Sequence, residues 1–98
     1  MAKYKIDVEK VDYLASKFRA MAHPMRIEII EMLEEKPMNV TSIYSKLQIQ
    51  QAGASSHLKI LKDKGIIGSR RDGKSIMYSL RKNALNQISD LMDMCLDA

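Results

Sequence analysis

Apolar residues recur three and four positions apart along most of the chain, with charged and polar residues between them. Positions at this spacing share one face of a helix, so the pattern predicts a series of amphipathic helices. They are expected at about residues 7–22, 24–35, 40–48, 51–64 and 82–97. In the first helix the predicted buried residues are Val8, Val11, Leu14, Phe18 and Met21, and the predicted exposed ones are Lys10, Asp12, Lys17 and Arg19.

The predicted helix ends coincide with residues that start or stop helices. Asp7 and Asn39 carry short polar side chains that satisfy free backbone N–H groups, so each is a predicted N-cap. Proline disfavours a helical residue before it and suits a first helical turn, so His23-Pro24 is predicted to end the first helix and start the second. Lys36-Pro37 ends the second helix, and Gly65 suits the left-handed position after the fourth.

The period of the pattern changes after Gly65. Residues 66–71 and 74–80 read as strands, and Asp72-Gly73 lies between them. This arrangement predicts a β-hairpin with a type I′ turn, whose central residues need the positive φ that Asp and Gly tolerate. The order helix, helix, helix-turn-helix, hairpin, helix predicts a mainly α fold with a small β-hairpin (α+β), of the winged helix-turn-helix architecture.

The length of 98 residues suits one domain, predicted to span residues 1–98. A domain of this size buries only somewhat more than about 60% of its unfolded surface, so a second copy covering an apolar face would add stability. We expect a homodimer. No apolar run is long enough for a membrane span or signal peptide, and a lone cysteine fits a reducing compartment, so the predicted location is cytoplasmic.

The positive charge is concentrated in one part of the chain. Residues 50–82 contain eight basic and two acidic residues, a local balance of +6, whereas the whole chain has a net charge of +4. The basic segment coincides with the second helix of the helix-turn-helix and with the hairpin that follows it. Such a distribution is typical of a face that binds a polyanion.

Double-stranded DNA is the partner that this arrangement indicates, because the second helix of such a motif enters the major groove while flanking elements hold phosphates. Gln pairs with adenine, Ser serves several bases, and Ala meets a thymine methyl group. The candidate DNA-contacting residues are Gln51, Ala52, Ser55, Ser56, His57 and Lys59 on the helix, and Arg70, Arg71 and Lys74 on the hairpin.

Four segments of the chain, in this order, resemble the ArsR/SmtB-type winged-helix repressors. They are Met21-Ala22-His23-Pro24-Met25-Arg26, Ser55-Ser56-His57-Leu58-Lys59-Ile60-Leu61, Lys64-Gly65-Ile66-Ile67 and Arg70-Arg71-Asp72-Gly73-Lys74 with Tyr78. The resemblance covers nearly the whole chain. It implies a homodimer built from the first and last helices that binds an imperfect palindrome, with Ser55 and His57 as DNA contacts and Gln51 and Ser56 beside them.

Metal sensing is well known in this family, but the usual ligands are missing here. The stretch that aligns with the family's cysteine motif is Ser42-Ile43-Tyr44-Ser45-Lys46-Leu47, and the last helix offers Asp90, Asp93 and Asp97 without a histidine. We therefore expect no transition-metal site and no cofactor. We also expect no catalytic residues, since the sequence contains neither a Gly-rich phosphate loop nor an evident arrangement of nucleophile, base and carboxylate.

Several residues allow two interpretations from the sequence. His57 is either a DNA contact or a polar packing residue, and Arg26 holds either a phosphate or a carboxylate. Cys95 lies on the apolar side of the last predicted helix, where it is either a packing residue or a redox switch. For the whole chain, the alternative to DNA binding is a winged helix that meets an acidic protein partner. Repression, activation, the operator sequence and any inducer are left open.

Overall fold

The computed structural model describes residues 7–84 and residue 86. The helices are α1 (Val8–Met21), α2 (Pro24–Glu35), α3 (Val40–Leu47) and α4 (Gln51–Asp63), and the strands are β1 (Met38–Asn39), β2 (Ile67–Asp72) and β3 (Ser75–Leu80). This order confirms the predicted winged helix-turn-helix fold. A further helical stretch starts at Lys82, but most of the predicted helix 82–97, including Cys95, lies outside the described residues.

The helix boundaries follow from local hydrogen bonds, as the sequence predicted. Asp7 Oδ1 accepts from the Lys10 N–H at 3.2 Å and starts α1. His23, in an extended conformation, accepts from the Met25 N–H through Nδ1 at 3.1 Å and caps α2, with Pro24 as its first residue. Gly65 follows α4 with φ +71°, the left-handed conformation predicted for it.

One hydrophobic core holds the helices against the sheet. α2 contributes Ile29, Ile30 and Leu33, and the helix-turn-helix contributes Ile43, Leu58 and Leu61. Ile66 and Ile67 are fully buried where the chain enters β2, so the base of the hairpin belongs to the same core. Because α3, α4 and β2 share this core, the helix-turn-helix and the hairpin are held in one fixed relation.

The sheet has a third strand that sequence reasoning did not predict. β3 is central in the antiparallel order β1-β3-β2, and Met38 of β1 pairs with Tyr78 of β3. β1 has only two residues and follows Pro37, so no alternating pattern marks it. Its pairing joins the start of α3 to the hairpin, which we call the wing (β2 and β3).

The turn of the wing lies one residue later than predicted. Asp72 pairs with Ser75, so the loop is Gly73-Lys74 and not Asp72-Gly73. Gly73 has φ +63°, whereas Lys74 is outside the left-handed region. Positive φ at the first loop residue alone is the pattern of a type II′ turn, which favours Gly at that position. Lys74 therefore lies at the tip of the wing and not in its second strand.

The burial of α1 differs from the sequence prediction at both ends. Lys17, predicted to be solvated, is 4% exposed, with its Nζ 4.7 Å from the ring centroid of Tyr13. Conversely, Val8 and Val11, predicted to be buried, are 64% and 49% exposed. The contacts that bury Lys17 come from the folded arrangement, which a helical periodicity does not encode.

Candidate nucleic-acid interface

The helix-turn-helix is closed by a left-handed residue between its two helices. Gln48 has φ 56° and ψ 43°, and its N–H donates back to the last turn of α3. This conformation reverses the chain within three residues, so that α4 starts at Gln51. Gln50 at the N-cap makes no side-chain hydrogen bond to the first turn of α4. The N–H groups of that turn point along the helix axis, where a phosphate is a favourable acceptor.

The predicted DNA-contacting residues of α4 form a continuous exposed stripe, with one exception. The members of the stripe are Gln51, Ala52, Ser55, Ser56 and Lys59, all exposed and spaced as one side of a helix. The opposite side carries Ala54, Leu58 and Leu61, which are 0–1% exposed and pack into the core. The core thus determines which side of α4 is presented to a partner.

Lys59 is held only weakly within the chain. Its Nζ lies 3.1 Å from Asp63 Oδ2, an i,i+4 pair whose side chains are 76% and 60% exposed. Pairs this exposed contribute roughly 0–1 kcal/mol to stability. The ammonium group could therefore leave Asp63 and pair with another anion with little loss of folding free energy.

The three basic residues of the wing are exposed but do not share one face. Arg71 is paired with Ile76, and Arg70 with Met77, so the two arginines lie on opposite faces of the hairpin. Ile76 borders the groove beside α4, which places Arg71 on the face of the wing nearer α4. Arg70 lies on the other face of the hairpin.

A groove separates α4 from the wing. It has a volume of about 340 Å³ and is bordered by Gln51 and Ser55 of α4 and by Lys74, Ile76 and Tyr78 of β3 and its turn. Asn39, Val40 and Thr41 close it at the start of α3. The structure therefore brings together the beginning of α4, the tip of the wing and the beginning of α3.

His57 is the exception to the stripe, because its ring is half-buried and faces the junction of α1 and α2. Its Nδ1 accepts a hydrogen bond from Arg26 Nε at 3.1 Å, and its ring centroid lies 4.6 Å from that of His23. Burial lowers the pKa of His57 from its ordinary value of 6.5, and the adjacent His23 and Arg26 lower it further. This placement is that of a packing residue, while a direct DNA contact by His57 stays a prediction.

Arg26 is the residue of this region whose role the sequence left open. Its guanidinium donates through Nε to His57 and through Nη1 to the carbonyl oxygen of Ala20, at 3.1 Å in each case. Neither partner is a carboxylate or a phosphate. The His-Pro-x-Arg spacing marks this position, but which groups it joins depends on how α1, α2 and α4 pack.

Within residues 7–84 and 86, no three of the His, Cys, Asp and Glu side chains lie close enough together to hold a metal ion. Asp90, Asp93, Cys95 and Asp97 of the predicted last helix lie outside the described residues. In the same part of the chain, no helix combines the length and the apolar character needed to cross a membrane.

Known proteins resemble this chain in both sequence and fold. Residues 23–69 match the family model of the arsR family of bacterial regulatory proteins. The chain is 31% identical over 85 residues to the regulator NmtR of Mycobacterium tuberculosis, covering 87% of this chain and 71% of NmtR. It is 32% identical over 91 residues to the transcriptional repressor PagR of Bacillus anthracis, covering 92% of this chain and 91% of PagR.

Among solved structures, one similar fold is the homodimeric winged helix-turn-helix DNA-binding domain of Mb0332 from Mycobacterium bovis. The TM-score is 0.78 at 23% identity, over 99% of this chain and 91% of the other. At this identity the likeness supports the fold, and the two sequence relatives support the family. The chain therefore belongs to the ArsR family of bacterial regulatory proteins.

Proposed function

We propose that this protein is a sequence-specific, double-stranded DNA-binding transcriptional repressor that acts as a homodimer. The observation that carries the proposal is the exposed polar stripe of α4 beside the basic tip of the wing, with a groove between them. Polar side chains able to pair with base edges and cations able to hold phosphates thus lie next to each other, which supports the proposal.

In the proposed complex, α4 lies in the major groove. Its 13 residues span about 20 Å at 1.5 Å per residue, and the stripe starts at its first turn. Gln51, Ala52, Ser55 and Ser56 are the proposed base-contacting residues, because they lie at the front of the helix and carry the donors, acceptors and methyl group that base edges match. Lys59 is proposed to hold a phosphate.

The wing is proposed to follow the adjacent backbone. Arg71 and Lys74 lie beside the groove, and Arg70 lies on the opposite face of the hairpin, within reach of a different phosphate. These cations contact the phosphate backbone in any sequence, so they contribute affinity and salt dependence more than selectivity.

Dimerisation is proposed to use the exposed apolar part of α1 together with the predicted last helix. Val8 and Val11 are 64% and 49% exposed in the single chain, although they belong to the helix's apolar pattern. A second copy covering this surface would bury them and place two α4 helices on successive major grooves. The homodimeric state of the Mycobacterium bovis domain and the repressor function of PagR support these two parts of the proposal.

The test is a salt-dependent anisotropy titration of the protein with the DNA upstream of its own gene and with a random duplex of equal length. We expect dimer-spaced half-sites in the upstream DNA to bind at least about a thousandfold more tightly than the random duplex. Equal, weak and salt-sensitive binding to both would contradict the proposal and favour an acidic protein partner for the wing.

A further inference from the structure

The two bonds of Arg26 join three parts of the fold at one point. In a continuing helix, the carbonyl oxygen of Ala20 would accept from the N–H of residue 24, but that residue is Pro24 and has no N–H. Arg26 Nη1 takes the place of the missing donor at 3.1 Å. Through Nε the same guanidinium holds His57 in the middle of α4. Arg26 therefore connects α4 to the end of α1 through these two hydrogen bonds, which together we call the tie.

Both histidines of the chain use Nδ1 as a hydrogen-bond acceptor at this point. His57 Nδ1 accepts from Arg26 Nε, and His23 Nδ1 accepts from the Met25 N–H that starts α2. A ring nitrogen that accepts a hydrogen bond carries no proton, so each bond requires a neutral imidazole. Protonation of either ring at Nδ1 removes the acceptor that its bond needs.

The groups around His57 oppose its protonation. Those that act on its charge are His23, from the turn between α1 and α2, and Arg26, from α2, and each carries or acquires a positive charge. Burial and these two neighbours lower the pKa of His57. A proton gained by His57 would therefore remove the bond to Arg26 and place two cations against each other.

We propose that Arg26 is a positioning residue for DNA recognition: it holds α4 against the end of α1 through neutral His57, and protonation of His57 releases this tie. The inference rests on the proposed DNA binding and adds a residue that touches no DNA. In the proposed dimer α1 carries the contact between subunits, so the tie connects the dimer interface to the helix that reads the bases.

The sign of the pH effect distinguishes this role from a simple charge effect. Because the pKa of His57 is lower in the folded chain, the unfolded chain takes up the proton first. The contribution of neutral His57 to folding stability is therefore complete above pH 6.5 and is lost as the pH falls below that value toward the lowered pKa. Protonation of His57 in the folded chain, at the lower end of this range, releases the tie. A histidine that only added charge near phosphates would strengthen binding to every duplex at low pH. The tie predicts weaker binding to the selected sequence.

The experiment measures affinity from pH 7.5 to pH 5.5 for the tightest duplex recovered from a randomised library and for a random duplex. His57→Asn keeps an acceptor oxygen near the position of Nδ1 but does not titrate in this range. Arg26→Lys keeps the positive charge but lacks the guanidinium that donates to His57 and to Ala20 at the same time. Arg19→Gln, at an exposed position of α1, is the control for loss of one charge, and His23→Asn is the control for the second histidine.

For the wild type, we expect affinity for the selected duplex to fall by about tenfold at low pH, as for loss of one hydrogen bond to a charged group, with no fall for the random duplex. His57→Asn should show no such fall between pH 7.5 and pH 5.5. Arg26→Lys should bind the selected duplex about tenfold more weakly at pH 7.5, while Arg19→Gln should keep the wild-type pH profile. His23→Asn should keep the fall in affinity but move it to higher pH, because His23 no longer opposes the protonation of His57.

Four results would overturn the inference. The first three are a flat wild-type profile, a profile that persists in His57→Asn, and wild-type affinity in Arg26→Lys. A large loss of affinity in His57→Asn at pH 7.5 would show that the imidazole contacts DNA directly, and would also overturn it. If no duplex is selected, the proposed function fails, and the tie is tested by thermal unfolding alone. The midpoint of the wild type must then fall more than that of His57→Asn between pH 7.5 and 5.5, or the tie is rejected as well.

Discussion

Asn39 accepts a hydrogen bond from the Ser42 N–H through Oδ1 at 2.8 Å, while its backbone is paired with Met77 in the sheet. The same residue therefore caps α3 and forms part of the strand that adjoins the wing. The start of the helix-turn-helix and the central strand of the sheet are held together at this residue. A substitution at this residue can remove the cap and keep the strand pairing, since the cap uses the side chain and the pairing uses the backbone.

Asn39→Ala should lower the free energy of unfolding by about 1 kcal/mol, because it removes the cap acceptor and leaves the strand pairing in place. Asn39→Asp should retain most of the stability, since a carboxylate oxygen accepts the same bond and is favourable at a helix N-terminus. Urea unfolding of the two variants and the wild type measures the difference. Equal losses in both variants would show that the amide has some role other than capping.

Two glycines should respond to alanine with opposite signs. Gly65 has φ +71°, so Gly65→Ala should destabilise the fold by about 1–2 kcal/mol. Gly53 lies within α4 at an ordinary helical φ, and a Cβ added there would meet only Ile49 Cδ1, at 4.0 Å. Gly53→Ala should therefore stabilise the fold by about 0.4–1 kcal/mol. Unfolding curves of both variants check the signs, and destabilisation by Gly53→Ala would contradict the space seen around it.

The wing and α4 should affect DNA binding in different ways. Arg71→Ala should weaken binding to the selected and the random duplex alike and reduce the slope of log affinity against log salt by about one. Gln51→Ala and Ser55→Ala should instead reduce the preference between the two duplexes, at about 1–3 kcal/mol for a lost base contact. Anisotropy titrations at several salt concentrations measure both quantities. Equal losses on both duplexes for the α4 variants would rule out base reading by these residues.

Val11→Asp should weaken the proposed dimer without unfolding the chain, because Val11 is 49% exposed in the single chain. Burying a carboxylate among apolar groups is unfavourable, so the dissociation constant of the dimer should rise by about tenfold or more. Sedimentation equilibrium measures it, with Lys10→Gln on the exposed side of α1 as the control. A dimer as tight as the wild type would place the subunit contact elsewhere.

Features governed by neighbouring residues were predictable from the sequence. Asp7, Asn39, Pro24 and Gly65 act within a few residues of themselves, and each starts or ends a helix where predicted. The side of α4 that faces solvent also followed from its periodicity. A cap and a helical face depend only on the spacing of nearby residues, and this spacing can be read from the sequence.

The features that were missed depend on contacts between distant parts of the chain. Lys17 is buried against Tyr13 near Gly65, β1 exists because Met38 meets Tyr78, and Arg26 finds its partners in Ala20 and His57. The one-residue shift of the wing turn is a smaller error of the same kind. Its register is set by the pairing of whole strands and not by the Asp-Gly pair alone.

The two-residue turn at Gly73-Lys74 projects from the sheet, and a Cβ added at Gly73 would meet no atom within 4 Å. Residues inserted there would displace nothing in the core, and each doubling of a loop's length costs only about 0.6 kcal/mol of closure entropy. Wing length can thus vary, in evolution or by engineering, independently of the remaining fold. The footprint of the proposed complex on DNA would then lengthen or shorten with the wing, without a change in the bases that α4 is proposed to read.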